Sequence, residues 1–347
     1  MTVVDKPTWV HHQPLVPGGP FPAIFSVDIH PANNRLVTCG MDCKIRIWNL
    51  RPILYESCEL DPREPRLLAI LHDHNAAVNA VRFSPDGSML ASGSDDRTVI
   101  IFVLKPGLGS TPAFGSKGGG PDPVQNLENW RPRFPALSGH SNNVHDVCFS
   151  PDSQVVASAS VDNRVLIWDS QSGCRLAVLE GHRGFARGVS FDPVGRFLAS
   201  QGDDGLCIWR TEDWSLIHRH TASFAEAPSN VYHLRPSWLP SGQALAATNA
   251  LVDGQCVAPL VERSSWSAEK TLVGHRKPVV AARCNPRLFC KKKKEKTVKE
   301  MNDEEKRKKM RKNEGMVKND ITVKNDEDKG DIKKTKKTGK GEKLEKE

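Results

Sequence analysis

An all-β fold of repeated, short, four-stranded antiparallel sheets is predicted by three observations. First, a unit of about 30 residues () recurs, clearest from Gly139 to Asp169, in which runs of alternating apolar and polar residues are separated by turn signals. Second, a histidine and a turn aspartate stand 22 positions apart in three units, as His74 with Asp96, His140 with Asp162, and His182 with Asp204. Third, an aromatic closes each unit, Phe102 and Trp168 six positions after the aspartate and Trp209 five after it. These are the marks of WD repeats, and the predicted architecture is a WD40 β-propeller.

Within the central unit, Val144 to Phe149 is the first strand and Ser150-Pro151-Asp152 its turn, where proline presets φ and the aspartate can bond the backbone ahead. Val155 to Ala159 and Val165 to Trp168 are the second and third strands, joined at Asp162-Asn163. FSPDG from Phe83 and SGSDD from Ser92 repeat the pattern, as do FDPVG from Phe191 and SQGDD from Ser200. The five-residue interval from Asp204 to Trp209 implies a one-residue deletion in that hairpin. A first repeat runs from Phe25 through His30-Pro31 and Asp42 to Trp48 and is expected to lack the histidine. A fifth, degenerate one surrounds Trp238 to Gly242, and a sixth is expected to begin at Gly274-His275.

The spacing has a physical reason. Histidine before the first strand, aspartate between the second and third, a strand hydroxyl such as Ser158, and an indole N–H on the third can satisfy one another while buried. His74, Asp96, His140, Ser158, Asp162, Trp168, His182, Asp204, Trp209, Asp42 and Trp48 are therefore read as structural. A histidine, aspartate and serine set resembles a hydrolase triad in composition, but its recurrence in repeat after repeat argues for scaffolding.

Thr8 to His11 is expected to form the outer strand of the last blade, and blade one to follow as Ile24 to Ile29, Arg35 to Thr38, Lys44 to Trp48 and Arg66 to Leu71. Asn49 to Pro65 and Lys105 to Trp130 are long connections between third and fourth strands. In a four-stranded antiparallel blade these lie on the face opposite the histidine and aspartate loops. The chain after Pro286 enters the same face, which makes that face or its rim a candidate docking surface. Phe114, Trp130 and Arg131 are the candidate anchors, because aromatic and arginine side chains dominate interface energetics. The competing expectation is that Phe114 and Trp130 pack back on the blade rim.

Hydrophobic residues make up 38% of the 347, enough for a sizeable core. No basic-then-apolar leader opens the chain and no apolar run has the length of a membrane span, so no membrane partner is expected. The nine cysteines are scattered singly, which fits buried thiols rather than a metal site or disulfide framework. No nucleophile elbow, phosphate loop or ligand cluster is present, so neither an enzyme, a cofactor nor a small-molecule substrate is expected.

The net charge of +8 resides entirely in residues 291–347, which hold 22 Lys+Arg and 14 Asp+Glu; the remainder is formally neutral. A basic face on the propeller therefore has no support in composition. The tail has no aromatic residue and little apolar periodicity, and is expected to be disordered. Its basic runs, Lys291, Lys292, Lys293 and Lys294, then Lys306, Arg307, Lys308 and Lys309, suit nuclear import or a weak contact with DNA. The expected division is an incomplete propeller over 1–290 and the charged tail over 291–347.

Specific stretches resemble one family. KPTWV at Lys6, IFSVDIHP at Ile24, SVDN at Ser160, DPVGRFLASQ at Asp192, VGHRK at Val273 and NPRLF at Asn285 are similar to the N-terminal domain of the HIRA histone chaperone family. So are the nonrepeat stretches from Ala113 to Ser116 and Asn126 to Arg131, over a resemblance covering roughly 6–293. It implies a seven-bladed propeller in a nuclear complex that deposits histones independently of replication and influences transcription and silencing. It also implies partners: a ubinuclein-like subunit bound through the propeller, and histones held directly or through the complex. The chain departs from the family after about Lys294, so about five blades and one strand are expected, as in a truncated product or a gene model read into non-coding sequence. The alternative is a WD-repeat adaptor of another class, such as a ubiquitin-ligase substrate receptor.

Overall fold

The structure is a computed structural model, and it describes residues 7–12, 18–107, 127–228 and 231–284. Five antiparallel sheets follow one another in chain order. Blade one is β1 (Ile24–Ile29), β2 (Arg35–Gly40), β3 (Ile45–Asn49) and β4 (Leu67–Leu71), with short helices α1 (Arg51–Leu54) and α2 (Glu56–Glu59) before the last strand. Blade two is β5 (Val78–Phe83), β6 (Met89–Ser94) and β7 (Thr98–Lys105), and its outer strand is split into β8 (Asn129–Pro132) and β9 (Leu137–Ser138), both paired with β7. Blade three is β10 (Val144–Phe149), β11 (Val155–Ser160), β12 (Arg164–Asp169) and β13 (Arg175–Glu180). Blade four is β14 (Ala186–Phe191), β15 (Phe197–Gly202), β16 (Gly205–Arg210) and β17 (Leu216–His220). Blade five comprises β18 (Ser237–Trp238), β19 (Ala244–Ala246), β20 (Ala250–Val252), β21 (Gln255–Glu262) and β22 (Lys270–His275).

Turn chemistry sets these hairpins. The turn after the first strand needs a left-handed residue: Gly87 takes φ +75° and Gly195 φ +76°, and blade three forces Ser153 to φ +63°. In the second hairpin the residue after the aspartate is left-handed in Cys43, Arg97 and Asn163. Blade four follows Asp204 directly with Gly205 at φ +116°, and Gly202 pairs with Gly205. The deletion expected from spacing therefore shortens this hairpin loop.

The core is four seams between neighbouring blades. Val37, Cys39, Ile45 and Ile47 of blade one pack on Val81, Phe83, Leu90 and Phe102 of blade two. Ala157, Ala159, Val165 and Ile167 of blade three likewise receive Val189, Leu198 and Trp209 of blade four. Small residues on one face and larger ones on the next give the interdigitation that a close-packed interior needs. Blade five is held to blade four by the buried side chain of Gln201, whose amide bonds Thr248 N at 3.0 Å and Thr248 O at 2.5 Å, and by Trp238 Nε1 donating to Ser190 O at 3.1 Å.

Three expectations need correction. Thr8 to His11 is turn and coil, not a strand, and pairs with no strand among the described residues; Trp9 instead packs against Trp48 with ring centroids 6.0 Å apart. Gly274-His275 does not open a sixth repeat: both residues end β22, where His275 pairs with Cys256 and is exposed. Beyond it, residues 279–284 make one parallel bridge, Arg235 to Ala281, and reach Ser237 and Asp28 through Cys284 and Arg283. The third concerns the histidine of blade one, below. Phe114 and the lysine-rich tail lie outside the described residues.

Candidate protein-docking site

Each of the first four blades carries one buried polar set. In blade three, Trp168 Nε1 donates to Ser158 Oγ at 2.9 Å, Ser158 Oγ lies 2.8 Å from His140 Nε2, and His140 Nδ1 lies 2.9 Å from Asp162. In blade four the same contacts join Trp209, Ser200, His182 and Asp204 at 2.8, 2.8 and 2.7 Å. Blade two joins His74 to Ser92 at 2.7 Å and to Asp96 at 2.8 Å, and Phe102 supplies no donor.

Blade one has its histidine after all. His12 Nδ1 is 2.6 Å from Asp42 and its Nε2 3.0 Å from Thr38 Oγ1, which also accepts from Trp48 Nε1 at 2.8 Å. The interval from His12 to Asp42 is 30 residues, because the proline- and glycine-rich segment lies between them; the constant interval of 22 therefore hid it. The recoverable signal was at the other end: Trp9 precedes His12 by three, as Leu71, Leu137 and Leu179 precede His74, His140 and His182. Arg46, also missed, adds an ion pair to Asp42 at 2.5 Å.

Electrostatics tighten these sets. Burial, the largest single influence, would raise Asp42, Asp96, Asp162 and Asp204, but the histidine hydrogen bonds together with the histidine charge, backbone N–H groups and, at Asp42, Arg46 outweigh it and hold all four below the ordinary carboxylate range. Burial is the largest single influence on His182 and would lower it, yet the hydrogen bonds to Asp204 and Cys207 and the charges of those groups together outweigh it and lift it to about 9. The contact order, hydroxyl to imidazole to carboxylate, is that of a serine hydrolase. However, Ser92, Ser158 and Ser200 are completely buried, and two of them already accept an indole N–H, so no substrate carbonyl can reach them.

The opposite face carries the insertions. Leu127 N and Glu128 N both bond Leu68 O, so the inserted connection returns to the blade by pairing with β4. Glu128 is gripped by Arg35, with Nε at 2.8 Å and an N–O ion-pair distance of 2.7 Å, and accepts Trp130 Nε1 at 2.8 Å. This corrects one candidate anchor: Trp130 is 4% exposed, packs on Phe83, and has no free ring face to offer a partner. Arg131, its neighbour in β8, points the other way and is exposed, its Nε donating to Asn129 at 2.8 Å. Arg35, Leu104, Lys105, Leu127 and Asn129 line a shallow open cleft, with Leu104 and Leu127 exposed; Leu104 pairs with Trp130, so the Arg131 side chain lies on the other face of the sheet. Among the described residues no cluster of His, Cys, Asp or Glu could hold a metal ion, and no helix is long and apolar enough to cross a membrane.

The family model of the CAF1B/HIR1 β-propeller domain matches residues 21–233. The chain belongs to this family. It is similar to Protein HIR1 of Mycosarcoma maydis, 40% identical over 285 residues, which covers 82% of this chain and 27% of that protein. It is 39% identical over 273 residues to Protein hir1 of Schizosaccharomyces pombe, with 77% and 28% covered, and 38% identical over 287 to Protein HIR1 of Cryptococcus neoformans, with 82% and 32% covered. The chain thus spans a third or less of the length of these relatives. The HIRA resemblance carried by the motifs and the WD40 propeller architecture both stand.

Proposed function

We propose that this propeller is a non-catalytic scaffold of a HIRA-like histone chaperone complex, working in the nucleus in replication-independent nucleosome assembly, chromatin organisation and transcriptional regulation, repression included. Membership of the CAF1B/HIR1 propeller family carries this reading, because the matched span, residues 21–233, runs from blade one through blade four. The surface assigned to partners is the edge of blade two, with the cleft where exposed Leu104 and Leu127 stand beside Arg35 and Lys105, and with the exposed Arg131 on the other face of β8. The partner assigned to it is a ubinuclein-like subunit, with histones bound directly or through the complex. The basic tail supplies nuclear import and a weak contact with DNA.

Affinity purification of the chain from nuclear extract, with mass spectrometry, tests this reading. Recovery of a ubinuclein-like subunit and histones is expected, with loss of the subunit from a Leu104→Asp/Arg131→Glu variant. Recovery of ubiquitin-ligase scaffold subunits instead would replace the reading with that of a substrate receptor.

A further inference from the structure

The turn that leads out of the third strand is built alike in blades three, four and five. Asp169 N bonds Cys174 O, Arg210 N bonds Ser215 O and Glu262 N bonds Ser267 O. In each turn the residue just before that carbonyl is left-handed: Gly173 at φ +74°, Trp214 at φ +58° and Trp266 at φ +54°. The two tryptophans fill seams. Trp214 meets Phe191 between blades three and four, and Trp266 meets Phe197 between blades four and five, both edge-on, with ring centroids 6.5 and 5.3 Å apart. At the same place in the seam between blades two and three, the turn of blade three has only a glycine.

Phe134, from the connection between β8 and β9, fills this space in part. A Cβ on Gly173 would stand 3.0 Å from its ring and 3.1 Å from Leu137. Beside that contact an open cleft remains, lined by Phe134, Pro135, Leu137, Trp168, Gly173 and Arg175. It continues along β13, because Arg175 pairs with Trp168 and Val178 with Leu166, and both Trp168 and Leu166 face blade two. Val178 is 39% exposed.

Two cations border the cleft. Arg133 lies over the Phe134 ring at 5.4 Å and donates to Gln171 at 2.7 Å, whereas Arg175 is exposed and has no hydrogen-bond or ion-pair partner among the described residues. The carboxylate of the turn is engaged elsewhere, since Asp169 Oδ1 accepts Gln171 N at 2.8 Å and Ser172 N at 2.7 Å. β13 ends the sheet order of its blade, so its outer edge pairs with no strand among the described residues. Blade one shows what such an edge accepts: Leu127 N and Glu128 N both bond Leu68 O of its outer strand β4.

We propose that this cleft docks an extended segment of a partner protein lying along β13, with an aromatic side chain entering beside Gly173 and an acidic side chain two residues away meeting Arg175. The neighbouring seams identify the aromatic group, since each holds a tryptophan at the place that Gly173 leaves open. The unpaired guanidinium identifies the acid, and residues two apart in an extended segment share a face, so one side of the segment carries both. The proposal does not depend on the histone-chaperone reading.

Fluorescence anisotropy of the full chain with a fluorescein-labelled peptide, Ser-Phe-Thr-Glu-Ser, tests it. Saturable binding is expected, weaker by about tenfold or more when serine replaces the phenylalanine of the peptide or lysine its glutamate. Arg175→Glu, which reverses the charge, and Gly173→Trp, which fills the space, should each weaken binding by a similar factor. Because Arg175 is exposed, Arg175→Glu should melt like the parent. Leu104→Asp, in the cleft assigned to the ubinuclein-like subunit, should bind the peptide normally, which separates failure here from failure of that assignment. Absence of binding, equal binding of the lysine peptide, indifference to Arg175→Glu or to Gly173→Trp, or equal loss with Leu104→Asp would each overturn the proposal.

Discussion

At the residue scale, the polar sets make separable contributions to stability. His12→Ala should cost about 1–3 kcal/mol by leaving the buried Thr38 and Asp42 short of a partner, and should match His140→Ala within a factor of two. Denaturant unfolding checks this; a cost near zero would mean that residues 7–12 do not hold blade one. His182 has a pH signature. Its pKa is raised from 6.5 in the unfolded chain to about 9 in the fold, so its contribution is complete below pH 6.5 and is lost as pH climbs through 9. The melting-temperature gap between wild type and His182→Gln should therefore be widest near about pH 6 and narrow toward about pH 9. A gap constant across that window would show that the imidazole is uncharged.

At the element scale, β8 separates a core residue from a surface one. Trp130→Ala should destabilise by about 3–5 kcal/mol, as removal of a buried aromatic does, whereas Arg131→Ala should leave the unfolding midpoint unchanged. An unaltered midpoint for Trp130→Ala would return Trp130 to the list of surface anchors. Alternation along one strand explains the pair: successive side chains point to opposite faces, and Phe83 waits on only one of them. The sequence placed both residues on the insertion and named an aromatic beside an arginine, but could not tell which faced the blade. The missed His12 is the same kind of limit. Local spacing reports turns and hairpins; it does not report which distant segment folds back to complete a set.

At the scale of the whole molecule, residues 231–236 tie the ring together across its axis. Arg235 donates to Phe25 O at 2.8 Å and to Asn79 O at 2.5 Å, and lies 3.4 Å from Asp146, while Tyr232 O accepts from Arg187 at 3.3 Å. One segment thus touches blades one, two, three and four. Gly188 makes room for it, since a Cβ there would overlap the carbonyl of Leu234. Gly188→Ala should displace this segment at a cost of about 1–3 kcal/mol and expose Arg235, read as faster proteolysis beside it. Unchanged stability and cleavage would mean that the segment does not hold the first four blades together.

The sequence by itself determined the repeat unit, the strands of blade one and the first three of blade three, the hairpin turns of blades two and four, three of the polar sets and the family, because each of these is written in short intervals that a hairpin reads locally. Only the tertiary structure decided that His12 completes blade one, that Trp130 is core, that His275 ends a strand, and that Gly173 leaves a cleft between two blades. Those facts depend on which surfaces meet, and a contact between residues far apart in the chain leaves no fixed interval for the sequence to show.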